Sequence, residues 1–238
     1  MLPPAVPTGT VSLCIRRRAL SFTPTLPWLA ETSYFDMLDP AVDWVRYFAD
    51  DVLGKRKTII LSGGIGESKT TAAEALVRAI PLTQRIITVE GSPEWLDLPH
   101  VNWQPLYFDE ADPESATKRV QDAMQSRPDW LCFQEVRGSE AWSLLRAFKI
   151  GVPGITTVHA PTARRALDSL ESMIRQSDAG RGMEADEIRT QLRQYIGVIA
   201  HCTRFLPTGP GEHTRYRMTE VVEIGQTEAE DRMVSSCR

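Results

Sequence analysis

The sequence lacks paired cysteines. Its four, Cys14, Cys132, Cys202 and Cys237, are scattered without a CxxC spacing. That excludes a zinc ribbon, whose thiolates must cluster around the metal. Cys132 and Cys202 lie in apolar runs and read as small buried hydrophobes, at home in a reducing compartment. There is no apolar run near the ~20 residues that cross a bilayer. The amino terminus, MLPPAVPTGTVSLCIRRR, places its basic cluster after a short proline-broken apolar stretch, the reverse of a secretory signal. Excess positive charge is missing too. The net charge of −4 leaves no basic field of the kind that gathers nucleic acid, so direct nucleic-acid binding has no support. Internal repeats and low-complexity tracts are absent as well. The expectation is a soluble, cytoplasmic protein.

What is present is ordinary globular material: 238 residues, 42% hydrophobic and 24% charged. Such a chain can bury a core without disulfide or metal staples. Thr10 to Ile15 alternates like a strand but has no nearby partner, and Arg16 to Pro27 is aperiodic and proline-bearing. Residues 1–38 are therefore expected to be the remnant of a truncated amino-terminal domain plus a linker. Residues 39–225 form the main domain, and 226–238 are expected to be a frayed tail.

Within the main domain, Val42, Val45, Phe48, Ala49, Val52 and Leu53 share one helical face that Gly54 ends. Short β-branched apolar runs follow at Thr58–Leu61, Arg85–Val89, Trp130–Phe133, Ile155–Val158 and Val198–Ala200. Helical patterns separate them, near Lys69–Ala79, Pro113–Met124, Ser139–Phe148, Ala163–Ile174 and Ala185–Tyr195. Thr219 to Ile224 is expected to be the last strand, and Gly209-Pro210-Gly211 a hairpin turn. Strands alternating with helices predict an α/β fold with a largely parallel central sheet.

The stretch Gly63-Gly64-Ile65-Gly66-Glu67-Ser68-Lys69-Thr70-Thr71 sits between a buried strand and a helix, where a phosphate loop belongs. Its glycines let backbone N–H groups turn inward to phosphate oxygens, and the helix N-terminus adds positive potential. Lys69 would reach the β- and γ-phosphates and the Thr70 hydroxyl would ligate Mg²⁺. Two residues depart from the pattern. Ser68 stands where glycine is usual, and Glu67 brings a carboxylate close to a polyanion. The competing reading is a plain glycine-rich turn. Farther on, Glu135 ends the apolar strand Trp130–Phe133 and can act on an attacking water. Taken alone, such a Glu is more often a surface loop residue.

Four boxes then occur in one order. Arg127-Pro128-Asp129 and Glu135-Val136-Arg137-Gly138-Ser139-Glu140-Ala141 resemble the RPD…GE-x-RG-x-EA block of the secretion-ATPase superfamily. Ile87-Thr88-Val89-Glu90 with Glu94 is similar to its acidic box, with Gly91 replacing the second acid. Gly151 to Ala160 resembles its histidine box, one residue shorter and without the first histidine. Ser12 to Arg16 resembles the family's S-x-S-I-R segment. The branch that fits best is the hexameric traffic ATPase of type IV secretion and conjugation. Type II secretion ATPases carry a tetracysteine motif that is missing here, and pilus-retraction motors are the nearest alternative.

The resemblance implies a RecA-like P-loop NTPase domain in a homohexameric ring. ATP and Mg²⁺ are the implied cofactors, and ATP turnover would power substrate export or pilus assembly. It further implies that Glu90 helps position Mg²⁺, Glu135 acts on the water, and His159 senses the γ-phosphate. Arg16 approaches that phosphate, and Arg137 and Arg85 are secondary candidates for phosphate or inter-subunit contact. His159 alone would read as a buried, hydrogen-bonded histidine, and Arg16-Arg17-Arg18 as a solvated basic linker. Implied partners are other secretion-system ATPases and inner-membrane components, with peripheral attachment at the cytoplasmic face. The rival from another class is a degenerate ring subunit that binds nucleotide or partners with little turnover; Glu67, Ser68, Gly91 and the shortened histidine box motivate it. A RecA-like DNA helicase is disfavoured by the acidic balance.

Overall fold

The strand Ile59–Gly63 (β1) is buried at every position, and the computed structural model, which describes residues 22–112 and 114–236, is built around it. Alternate side chains of a strand point to opposite faces. Accordingly Ile59 and Leu61 enter one core while Ile60 enters the other. The same division holds for Cys132 against Leu131 and Phe133 on β4 (Trp130–Val136). Being covered on both faces is why these runs read as continuous apolar segments.

The other strands are β2 (Ile86–Glu90), β3 (Trp103–Tyr107), β5 (Gly154–His159), β6 (Val198–Phe205), β7 (Arg215–Glu223) and β8 (Arg232–Ser236). They form one sheet in the order β3-β2-β4-β5-β1-β6-β7-β8. Pairing is parallel from β3 to β6 and antiparallel for β6-β7 and β7-β8. One face carries α1 (Leu26–Glu31), α2 (Trp44–Arg46) with its π-helical continuation Tyr47–Leu53, and α3 (Lys69–Ala79). The other carries α4 (Ser115–Gln125), α5 (Glu140–Lys149), α6 (Arg165–Gln176) and α7 (Ala185–Tyr195). The expected α/β architecture is thus what forms.

Several expectations need correction. Residues 24–38 are not linker. Thr25 caps α1 by accepting from Trp28 N at 3.2 Å, and Leu26, Leu29, Tyr34, Phe35 and Leu38 are buried in the first core. The prolines that suggested a linker instead sit at a helix start, where a missing N–H costs nothing. The tail is not frayed either. It turns back through Glu228–Glu230 and adds β8 as an edge strand on β7. Asp231 anchors it by accepting from Gly225 N at 3.0 Å and from Arg193 Nη1 at 2.7 Å. The expected last strand begins earlier, at Arg215, and is followed by another. The strand β3 went unanticipated because Pro105 interrupts its pattern and it is only half-buried, as proline on a sheet edge permits.

The segment Thr10–Ile15 and Arg16 lie outside the described residues. Among the described ones, no helix is long and apolar enough to cross a membrane.

Candidate active site

In a parallel sheet the carboxyl ends of the strands face one way, and ligands gather where they open. β1, β4 and β5 end there together. Gly63 closes β1 at φ 154°, and a β-carbon on it would fall 2.6 Å from the Cys202 carbonyl oxygen, so only glycine lets the loop leave the strand so close to β6. The chain then turns through Gly66 (φ 70°) and Ser68 (φ 61°) before α3 begins at Lys69. Ile65, at the tip, is exposed.

Two of the loop's own side chains brace it. The Glu67 carboxylate accepts the Gly64 N–H, and Ser68 Oγ donates to the Glu67 carbonyl at 2.6 Å. Lys69 bonds the loop as well. Its Nζ is drawn in over the loop, donating to Gly64 O at 2.7 Å and Gly63 O at 3.1 Å. Burial pulls this ammonium below the ordinary lysine range, and the Glu135 carboxylate partly restores it.

Across from Lys69 stands Glu135. Its Oε2 accepts from Arg137 Nη2 at 2.9 Å. Its Oε1 is buried and lies 2.5 Å from His159 Nε2. The His159 ring also lies 3.2 Å from Gly63 O and 3.3 Å from Lys69 Nζ through Nδ1. From the end of β5 it therefore joins the ends of β1 and β4. These residues, with Thr70, Thr71, Glu94 and Gln134, line a cavity of about 820 Å³.

Glu90 does not line that cavity. It is fully buried, and its carboxylate accepts from Thr88 Oγ1 at 3.0 Å, Glu94 N at 2.9 Å and Trp95 N at 3.0 Å. Burial pushes its carboxyl up. It ties down the loop that carries Glu94 to the cavity wall. Arg85 is likewise away from the loop, at the amino end of β2, where it donates to Asn102 Oδ1 and Gln104 Oε1. Of the other candidates, Arg137 is brought to the cavity, where it also lies 3.5 Å from Glu110.

Glu110 was not anticipated, since it follows the unforeseen β3. A β-carbon on Gly91 would meet its carboxylate at 2.5 Å, so the glycine standing where an acid was expected leaves room for an acid from elsewhere. Tyr34, whose hydroxyl lies 3.0 Å from Ser68 Oγ, was missed for a similar reason: it sits in the supposed linker.

The family model described as type II/IV secretion system protein matches residues 37–230. The chain belongs to that family. It is 30% identical to the type IV secretion system protein VirB11 of Bartonella henselae, over 93% of this chain and 68% of the relative. It is 31% identical to the protein VirB11 of Agrobacterium fabrum, over 83% and 64%. Among solved structures, the VirB11 ATPase of Brucella suis in complex with sulphate superimposes with a TM-score of 0.69 at 26% identity, covering 88% of this chain and 60% of that one. The pilus retraction motor PilT with bound ADP gives 0.64 at 19% identity, a likeness of fold. The architecture is thus the RecA-like P-loop fold of these ATPases. The chain spans about two thirds of the length of the curated relatives it matches.

Proposed function

We propose that this chain is the ATPase of a type IV secretion or conjugation system, turning over ATP in a homohexameric ring to drive substrate export or pilus assembly. The observation that carries the reading is the pairing of Lys69 with Glu135 across one cavity, with His159 reaching both: its Nε2 lies 2.5 Å from Glu135 Oε1 and its Nδ1 3.3 Å from Lys69 Nζ. Lys69 and the loop amides hold the terminal phosphates. Glu135 accepts the proton of a water aimed at the terminal phosphorus, and Arg137 and His159 fix its carboxylate in place. His159, touching both the Lys69 side and the Glu135 side, senses whether a γ-phosphate lies between them.

No cluster of three or more acidic, histidine or cysteine side chains among the described residues could hold a metal unaided. That fits Mg²⁺, which takes most of its ligands from phosphate and water. The Thr70 hydroxyl would contribute, with Glu94 and Glu135 in the wall and Glu90 acting only by ordering the Glu94 loop. Bound there, Mg²⁺ supplies neutralisation of charge on the β- and γ-oxygens.

Beside the loop, a second cavity of about 580 Å³ lies between α1 and β7, lined by Trp28, Tyr216, Arg215 and Arg217. Aromatic and guanidinium faces suit a purine and its ribose. Peripheral attachment at the cytoplasmic face of the inner membrane, beside other components of the system, completes the proposal. Arg16 would be the arginine that approaches the γ-phosphate from the amino-terminal segment.

Steady-state phosphate release and equilibrium nucleotide binding on the purified assembly test the reading. Lys69→Ala is expected to abolish both. Glu135→Gln is expected to keep binding and to slow turnover at least ~100-fold, the scale of a lost general base. Wild-type protein that binds nucleotide without turnover would instead support the degenerate ring subunit, the rival that the departures at Glu67 and Ser68 motivate. Failure to bind nucleotide at all would overturn both.

A further inference from the structure

Ser68 is the residue of the phosphate loop that ought to fail. It occupies the left-handed region at φ 61°, ψ 21°, where a β-carbon costs about 1 kcal/mol or more relative to glycine. It stands at the N-cap of α3, a position where serine ordinarily repays its place by capping, yet its side chain makes no capping bond. Its hydroxyl is used otherwise. It donates to the Glu67 carbonyl at 2.6 Å and shares a hydrogen bond of 3.0 Å with Tyr34 Oη.

Tyr34 is built to make that contact. Only 3% exposed, it follows α1, and its N–H donates to Leu29 O at 2.9 Å. Its carbonyl accepts from Met218 N on β7 at 2.8 Å, so the residue is fixed between helix and sheet with its hydroxyl delivered to the loop. Its ring packs edge-on against Phe35. Burial pushes the phenol far above its ordinary range, so it stays protonated at any working pH, and its hydroxyl also meets the buried Cys202 thiol. Tyr34 lies just before residues 37–230, the span matched by the family model.

We propose that Tyr34 is a positioning residue of the phosphate loop, whose hydrogen bond to Ser68 holds the left-handed turn that glycine would adopt unaided. The proposal rests on the ATP-binding reading for its consequence, and on the loop's own geometry for its cause. Glu67 and Ser68 then cease to be signs of decay. Each bonds the loop's backbone, and Tyr34 locks the result from a separate element.

The test is a double-mutant cycle between Tyr34→Phe and Ser68→Gly, read in two ways. In nucleotide-free protein, amide hydrogen exchange across 63–71 should quicken about three- to tenfold in Tyr34→Phe, the equivalent of one neutral hydrogen bond. The same change should have no effect in the Ser68→Gly background, where glycine needs no brace. With a fluorescent ATP analogue, Tyr34→Phe should raise Kd by a similar factor, KM should rise more than kcat falls, and Ser68→Gly should restore Kd in the double variant. Loop exchange unchanged by Tyr34→Phe, or quickened equally in both backgrounds, overturns the proposal, because a purely structural tyrosine would act regardless of residue 68. If the wild-type chain binds no nucleotide, the ATP reading falls, while the exchange cycle still decides the role of Tyr34.

Discussion

Two carboxylates end adjacent strands of the sheet, and their surroundings divide their work. Glu90 closes β2 in full burial, with a hydroxyl and two backbone amides as donors. Glu135, at the end of β4, faces the cavity, with Arg137 on one oxygen and His159 Nε2 2.5 Å from the other. A satisfied buried carboxylate stabilises the fold and has no capacity left for a substrate. One at a cavity wall, held by side chains rather than by backbone amides, keeps its oxygens within reach of a bound water. The contrast teaches that a strand-end acid is read by what holds it and by whether a cavity reaches it. Residue type and strand position were the same for both.

Asp231 belongs with Glu90 in that division and gives the largest expected effect. Its carboxylate is 2% exposed and pairs with Arg193, itself 11% exposed. Asp231→Ala should lower unfolding free energy by about 3 kcal/mol by stranding a buried cation, with nucleotide Kd unchanged. Chemical denaturation with a binding titration reads both. A weakened Kd would mean that the carboxyl-terminal hairpin reaches the site. Next comes the turnover loss already expected of Glu135→Gln, which should leave denaturation untouched; a large stability loss there would place Glu135 in the class of Glu90.

Glu90→Gln should show the mirror image, about 1–3 kcal/mol less stable through mismatched donors. Its turnover should fall only as far as the Glu94 loop shifts. Turnover abolished at unchanged stability would instead restore Glu90 to a direct part in holding Mg²⁺. The smallest effect concerns two buried histidines. Burial holds both His100 and His201 below the ordinary imidazole range. Below about pH 6.5 the unfolded chain therefore binds more protons than the folded one, so stability is complete above that pH and declines as pH falls. The urea midpoint should drop between pH 7.5 and 5.5, and His201→Gln should flatten the slope. A midpoint that rises over that interval would contradict the sign.

How far the sequence could be read varied by element. The strands covered on both faces, β1, β2, β4 and β5, and the amphipathic helices α3 to α7 were legible to within a few residues, because burial on two faces or along one stripe leaves a periodic trace. The phosphate loop and Glu135 were legible from their place after such strands. The elements α1, β3 and β8 were not. Each is short and proline-bearing or half-exposed, and each is ordered by what it packs on: Tyr34 against β7, Trp103–Tyr107 beside β2, Asp231 on Arg193. The same reason hid Tyr34 and Glu110, which enter the site from segments that read as linker and loop.

From its own residues, then, the chain determined the alternation of strand and helix, the loop after β1, and an acid at the end of β4, since these follow from local periodicity and spacing. Only the tertiary structure decided which acid faces the cavity and how a serine can stand where glycine belongs. Donors and acceptors are matched in space by groups such as Trp95 N and Tyr34 Oη, and their meeting leaves no periodic mark along the chain.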